Sequence, residues 1–255
     1  VCSKFVKPDG VKPLNEKGKV VAGMQYELAD VPTDGYLDFY IWPKYAEKGY
    51  LWMIPKCDGR ANVGRVTEDR PRAKKALDQF IEDTHFNDLS QQLPPWKTKG
   101  NPAFGGTIPI SGPFENTHYD GLMLIGDAAG FTSPLFEGGS HLALKSAVFA
   151  AETAGSAVSN GDVTAQSLET YTMLWKAEFP PYEKILRGKN ALLELSDGEM
   201  SLMGSCFPDE MGDMGITGKA MVGLRLLFRR PDLYLKNIVP AMLAFGYSRA
   251  KYYGW

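Results

Sequence analysis

The chain has 255 residues, 44% of them hydrophobic and 23% charged, with a formal net charge of −2. That length buries a sizeable core in one large domain or two small ones, and the balanced charge gives no reason to expect a nucleic-acid partner. Three scattered cysteines, Cys2, Cys57 and Cys206, form no C-x-x-C pair, so neither a disulfide framework nor a metal site is implied and a reducing compartment is expected. No apolar run approaches the roughly 18 residues that a membrane-spanning helix needs. The N-terminus has no signal-peptide core and no initiating Met. The expectation is a cytoplasmic chain that begins partway through a longer polypeptide.

Residues 1–18, rich in Lys, Pro and Gly, read as loop. Four strands are predicted next: Val20–Leu28, with Val20, Ala22, Met24, Tyr26 and Leu28 on one face, then Tyr36–Trp42, Tyr50–Pro55 and Ala61–Val66. Short turns join them, one with Asp58-Gly59 at its tip, so the sheet should be antiparallel. Alternation places Tyr50, Trp52 and Ile54 on one face, where they either pack as ordinary core or wall an elongated apolar pocket. Asp69 as N-cap, Pro71 in the first turn, and Ala76, Leu77, Phe80 and Ile81 at helical spacing predict a helix ending near His85. Residues 90–103 form a polar connection, Phe104–Ile110 returns the chain toward the next domain, and His118 lies in a polar turn that should face solvent.

The most informative stretch runs from Leu122 to Ala147. Leu122–Ile125 reads as a buried strand closed by Gly126-Asp127. Ala128, Ala129 and Gly130 let a bulky group approach the backbone. After a loop holding Pro134, Gly138-Gly139 opens a helix running to about Ser159. Its small-residue face would carry Leu142, Ala143, Ser146, Ala147, Ala150, Ala151, Ala154 and Ala157. A strand, an acidic turn and a glycine-opened helix suit a phosphate-bearing cofactor, because free N–H groups at a helix start attract anions. Asp127 is placed to accept from a ribitol or ribose hydroxyl. Gly-Asp alone occurs in many α/β proteins without a ligand, so the weight rests on the whole string. His141, in the first turn, either hydrogen-bonds a cofactor oxygen or is a satisfied, partly buried histidine.

Thr164–Trp175 is the next predicted helix, with Leu168, Tyr171, Leu174 and Trp175 as its apolar stripe, and Pro180-Pro181 breaks it. Tyr182 to about Met203 reads as one long helix interrupted by Gly188 and Gly198. Cys206 has no basic neighbour in sequence and is expected to be inert. From Lys219 onward Lys219, Arg225, Arg229, Arg230, Lys236, Arg249 and Lys251 face a single acid, Asp232, among large apolar residues. Such a pattern suits a helix on an anionic membrane surface, a gate over a lipid cavity, or a packed helical pair with a solvated basic face.

The string from Gly126 to Gly139 resembles the second FAD-binding motif of the flavoprotein hydroxylase and reductase superfamily. Phe131-Thr-Ser-Pro-Leu-Phe-Glu-Gly-Gly139 is most similar to its geranylgeranyl reductase branch. Members of that branch also carry a Tyr-x-Trp-x-Phe-Pro element followed by Gly-x-Gly. Tyr50, Trp52, Pro55 and Gly64 stand at matching positions, with Ile54 in place of Phe and Val66 in place of the second Gly. The resemblance implies FAD held by Gly126, Asp127, Ala128, Gly130, Pro134, Gly138 and Gly139. It implies an isoprenoid chain held by Tyr50, Trp52, Ile54, Pro55 and Gly64, with Tyr50 and Trp52 nearest the chemistry.

The implied reaction is hydrogenation of isolated C=C bonds, with electrons from an external donor, ferredoxin-like or NAD(P)H. Tyr50, Cys57, His141 and water are all open as proton source. The implied fold class is α/β (α+β), in three parts: an antiparallel β-sheet substrate domain over 1–110, the distal segment of a Rossmann-like FAD-binding domain over 111–176, and a C-terminal helical region over 177–255. No G-x-G-x-x-G follows a strand anywhere in the chain; Gly212, Gly215 and Gly218 read as a flexible turn. The ADP-binding half is therefore expected N-terminal to Val1 or in a separate subunit. Two other readings stay open: a flavoprotein dehydrogenase exchanging electrons with a quinone or ferredoxin-like partner, and a non-catalytic lipid- or partner-binding subunit.

Overall fold

The computed structural model describes residues 20–29, 31, 33–69, 71–83, 103–110, 112–208 and 215–248. The expectations for Cys2, His85, Gly212, Arg249 and Lys251 fall outside them. The chain divides into two compact units, one from Val21–Thr107 with Asn190–Ile238, the other from Ile108–Lys189 with the segment from Val239 on.

The first unit is built on a five-stranded sheet. Its strands are β1 (Val20–Leu28), β2 (Asp38–Tyr40), β3 (Tyr50–Pro55), β4 (Ala61–Thr67) and β5 (Phe104–Pro109), in spatial order β2-β3-β4-β1-β5. The pairs β2–β3, β3–β4 and β1–β4 are antiparallel, and the β3–β4 turn has Asp58 and Gly59 at φ 61° and 67°. Both left-handed residues belong to the tight hairpin that Asp-Gly favours. The predicted strand Tyr36–Trp42 shrinks to three residues; Tyr36 and Leu37 lie outside it, exposed.

Alternation along the strands sends Tyr26, Leu28, Leu51, Met53 and Val63 to one face, which is covered by helix α1 (Ala73–Asp83) through Leu77, Phe80 and Ile81. Asp69 does not cap that helix. Arg72 does, its carbonyl accepting from Ala76 N–H at 3.0 Å, and Asp69 instead takes the Arg72 Nε at 2.5 Å. Two intervening residues, including Pro71, place the acid too far upstream. The buried face begins at Ala73, one turn ahead of the predicted Ala76.

On the opposite sheet face the indole of Trp52 lies across Gly64, its partner in register. A methyl group on Gly64 would overlap ring atoms of Trp52 and the Cβ of Gln25. Trp52 Nε1 donates to Gln25 Oε1 at 3.1 Å, and Tyr50 sits beside the indole with ring centroids 5.8 Å apart. Gly64 is thus a steric requirement of the indole above it.

This unit also holds helices α5 (Asp197–Gly204) and α6 (Ile216–Arg229), then a turn Pro231–Leu233 and a π-helical turn Tyr234–Ile238. Their core is Cys206, Val222, Leu226 and Ile238. The long helix predicted from Tyr182 to Met203 is two helices. The break comes at Ser196, whose hydroxyl accepts from Glu199 N–H while the Glu199 carboxylate accepts from Ser196 N–H, a complete capping box. Cys206 has a basic neighbour after all, brought by the fold: Arg229 Nη1 lies 3.7 Å from its buried sulfur.

The second unit contains a two-stranded ladder, β6 (His118–Tyr119) with β7 (Leu122–Met123), and helices α2 (Ser140–Ser159), α3 (Ala165–Glu178), α4 (Tyr182–Leu193) and α7 (Val239–Tyr247). Its core gathers Leu124, Ala129, Phe131, Tyr171 and Trp175. The predicted buried strand Leu122–Ile125 keeps only its first two residues in the ladder, and Ile125 is 40% exposed. His118 is not solvated as predicted: it is half-buried, its Nδ1 2.7 Å from Thr172 Oγ1. Thr164 caps α3, and of its predicted stripe Leu168, Tyr171 and Trp175 are buried while Leu174 is half-buried. No helix among the described residues is long and apolar enough to cross a membrane.

Gly64→Ala should lift the Trp52 ring off β4 and cost about 1–3 kcal/mol, the usual scale for overpacking. The expected outcome is a lower Tm with a red-shifted tryptophan emission; an unchanged Tm would contradict the packing described.

Candidate functional site

The chain between β7 and α2 is held by four fixed points. Gly126 and Gly130 adopt φ of 55° and 77°, a region that side chains rarely enter. Between them Gly126–Ala129 forms one 3₁₀ turn, closed by Gly130 N–H to the Asp127 carbonyl and Phe131 N–H to the Gly126 carbonyl, both 3.0 Å. Ser146, buried on α2, accepts from Gly126 N–H at 3.1 Å and donates to the Ala143 carbonyl at 2.9 Å. Tyr171 of α3 donates to the Leu124 carbonyl at 2.5 Å. The turn is therefore clamped from both helices.

The seven residues expected to hold the cofactor fall into two groups. Gly126, Gly130 and Pro134 are buried and shape the turn and the loop. Asp127, Ala128, Gly138 and Gly139 are exposed or half-buried and reachable from outside. Asp127 projects its carboxylate beside α2, 3.4 Å from Thr132 Oγ1, and a methyl group on Gly139 would stand 2.7 Å from Asp127 Oδ1. Gly139 is thus needed for the carboxylate to lie against the helix start. The N-cap position of that helix is Gly139, which has no side chain to cap it, and a helix start of this kind presents N–H groups that attract an acceptor.

Next to this helix start lies a cavity of about 220 Å³. Pro113, Phe131, Leu142, Phe179 and Pro180 give it apolar walls; Thr132, Ser133, Ser140 and His141 give it a polar edge. Its volume is below the roughly 300 Å³ at which small-molecule sites begin, so it can take one end of a larger ligand. An exposed carboxylate for a hydroxyl, uncapped helix N–H groups for a phosphate or ring carbonyl, and an apolar wall for a ring together fit a flavin dinucleotide.

Several residues of this site were not legible from sequence. Tyr182 and Ile185 of α4 also line the cavity. Tyr182 donates to the Ile110 carbonyl, and burial, with smaller contributions from the Glu137 and Glu183 carboxylates, pushes its phenol well above the usual range, so it stays protonated. Glu137, inside the motif loop, pairs with Lys189 of α4, and both side chains are almost fully buried. Their spacing puts Tyr182, Ile185 and Lys189 on one helix face, at i, i+3 and i+7, but does not indicate what that face meets.

In the sheet unit Tyr50, Trp52 and Ile54 share a face as expected, opposite Leu51 and Met53. Tyr50 is 5% exposed and stacks on Phe39 at 4.7 Å, whereas Trp52, Ile54 and Pro55 are half-buried; Gly64 lies beneath Trp52. Cys57 is exposed on the hairpin. Among the described residues no cluster of three or more His, Cys, Asp or Glu side chains could hold a metal ion.

Comparison with known proteins finds one family of relatives. The family model described as geranylgeranyl reductase catalytic domain matches residues 20–93. The chain is 34% identical to digeranylgeranylglycerophospholipid reductase 2 of Methanothermobacter thermautotrophicus over 79% of its own length and 54% of the relative's. It is 31% identical to the digeranylgeranylglycerophospholipid reductase of Methanocaldococcus jannaschii over 93% of its length and 60% of the relative's. A solved structure of a geranylgeranyl bacteriochlorophyll reductase-like protein from Thermoplasma acidophilum superposes with a TM-score of 0.68 at 25% identity, over 85% of this chain and 53% of that one. The chain thus spans between half and two-thirds of the length of these curated relatives. The chain belongs to the geranylgeranyl reductase family of FAD-dependent oxidoreductases.

Proposed function

We propose that the protein reduces C=C bonds in the isoprenoid chains of a geranylgeranyl-type lipid, using FAD held at the Asp127–Gly139 loop. The observation that carries the reading is the joining of an exposed carboxylate and an uncapped helix start to an apolar cavity. Bound and reduced, the flavin supplies a hydride to one carbon of the double bond. The chain's own residues bind, orient and exclude water. Asp127 accepts from a ribityl hydroxyl, and the α2 N–H groups hold an oxygen of the cofactor. Tyr50, Trp52 and Ile54 form a wall along which an extended apolar chain can lie, and Gly64 keeps the indole flat on it. His141, at the cavity edge, or water delivers the proton to the second carbon. Electrons enter from an external donor, ferredoxin-like or NAD(P)H.

Apoprotein of the full-length polypeptide, reconstituted with FAD and reduced, should convert an unsaturated diether lipid to products heavier by one H₂ per bond. Lack of flavin binding, or an unaltered lipid, would sink the reading. Asp127→Ala should weaken FAD binding by about tenfold or more, the scale of a lost hydrogen bond to a charged group, and leave Tm unchanged because the carboxylate is exposed. Mixing the oxidised holoprotein separately with NADPH and with reduced ferredoxin identifies the donor as the one that bleaches the flavin.

A lipid substrate also needs a surface from which to enter, and α6 supports one. Val222 and Leu226 face the core, while Met221, Leu224 and Phe228 form a stripe on the opposite side, 55%, 53% and 82% exposed. Arg225 stands beside the stripe, exposed. The inner face packs on Cys206 and Ile238, and the outer face suits anionic lipid headgroups. Arg230 is already engaged by Glu199 and Asp232, acids that the linear sequence did not bring together. Full-length protein should sediment with vesicles of phosphatidylcholine and phosphatidylglycerol but not of phosphatidylcholine alone. Leu224→Ser with Phe228→Ser should abolish that binding, and sedimentation undiminished by the double change would refute it.

A further inference from the structure

The loop that bears the cofactor motif has at its centre a charge that flavin binding does not itself use. Glu137 occupies a left-handed backbone conformation, φ 52°, between the buried loop residues and the exposed Gly138. Its carboxylate is paired with the Lys189 ammonium, and the side chains are 2% and 4% exposed. The two residues are separated by 52 positions, so the contact is made by the fold and not by local sequence.

Stability alone does not account for such a pair. Removing two charges from water costs as much as their attraction returns, and apolar residues of similar volume would serve the core as well. Ile185, one turn earlier on the same face of α4, shows the apolar solution beside it, packed on Leu135. An ion pair supplies what an apolar contact lacks, namely a fixed position and direction. Here the position matters, because Glu137 directly precedes Gly138 and Gly139, the residues that lead into the uncapped start of α2.

The rest of the loop is already tied. Ser133 N–H donates to the Gly138 carbonyl at 2.8 Å, closing the base, and Leu135 N–H lies 3.4 Å from Ser133 Oγ. On the helix side, α4 is itself held close to α7, where Gly188 lies against Pro240 and Ala244. Lys189 therefore reaches the loop from a fixed platform.

We propose that Lys189 is a positioning residue for the flavin: through its ion pair with Glu137 it sets the backbone of Phe136–Gly139, and with it the orientation of the α2 N–H groups toward the cofactor. The pair is neutral overall and acts by placement, not by adding charge to the site. This rests on the flavin-binding reading above.

The test compares full-length protein with Lys189→Met and with the double variant Glu137→Met/Lys189→Met, reading Tm of the apoprotein and FAD affinity by quenching of flavin fluorescence. Lys189→Met leaves a carboxylate buried without its cation, so Tm and FAD affinity should both fall, the latter by at least about tenfold. The double variant removes both charges; its Tm should return close to that of the parent while its FAD affinity stays reduced. Recovery of FAD affinity together with Tm in the double variant would overturn the proposal, leaving the pair a structural element only. So would parental FAD affinity in either variant. A parent protein that binds no FAD would instead fail the underlying flavin reading, a result separable from the first because it appears before any substitution is made.

Discussion

The structure depends on one sharp change of direction, the turn from β7 into α2. It requires left-handed backbone at Gly126 and again at Gly130, where a side chain would also strike the Gly112 carbonyl. A turn of that kind is unfavourable in isolation, so the surrounding groups must over-determine it. Ser146 holds its first amide, Tyr171 holds the carbonyl just before it, and Phe114 N–H holds the Ala129 carbonyl at 3.0 Å. The outcome is that Asp127 is presented at the surface by a rigid support, and the following loop can be shaped separately.

The same logic governs the sheet unit, with side-chain bulk in place of backbone angle. Trp52 needs a flat floor, and Gly64 provides it in register; Gln25, on the strand beyond, accepts the indole N–H. One face of β3 is committed to the core with α1, while on the other Tyr50 stacks on Phe39 and Trp52 lies over Gly64. A period of two makes this division of labour possible, because adjacent residues cannot share a face.

What sequence reading recovered follows from how local each signal is. Asp58-Gly59, Pro180-Pro181 and the Leu168–Tyr171–Trp175 stripe act within a few residues, and each element they marked is present. The Gly126–Gly139 string was legible because several glycines serve backbone geometry rather than packing. The run Leu122–Ile125 misled, since hydrophobicity does not say how many partners a strand has, and Ile125 continues past the ladder into solvent. Ser196 and Glu199 carried a complete capping-box signature; the glycines at 188 and 198 drew attention from it, although Gly188 serves close helix packing and not a break. Lys189, His118 and the Arg229–Cys206 contact depend on residues far away in the chain, and no local pattern could reveal their partners.

Two buried cations show where charge is tolerated in this protein. Arg65, on β4, is 2% exposed and donates to the Ala73 carbonyl at 3.2 Å and the Arg72 carbonyl at 3.4 Å, fixing the strand to the first turn of α1. Burial pushes its guanidinium down to about 10, which still leaves it charged at neutral pH. Lys189 joins a helix to a loop in the other unit. Arg65 stands at the edge of the layer that Leu77, Phe80 and Ile81 fill, where the sheet meets the start of α1. Both lie at joints, where two segments must meet at one angle and apolar surfaces would allow sliding. Charge is buried here where two segments meet, and at both places the cation is held by groups distant from it in the chain or by backbone carbonyls.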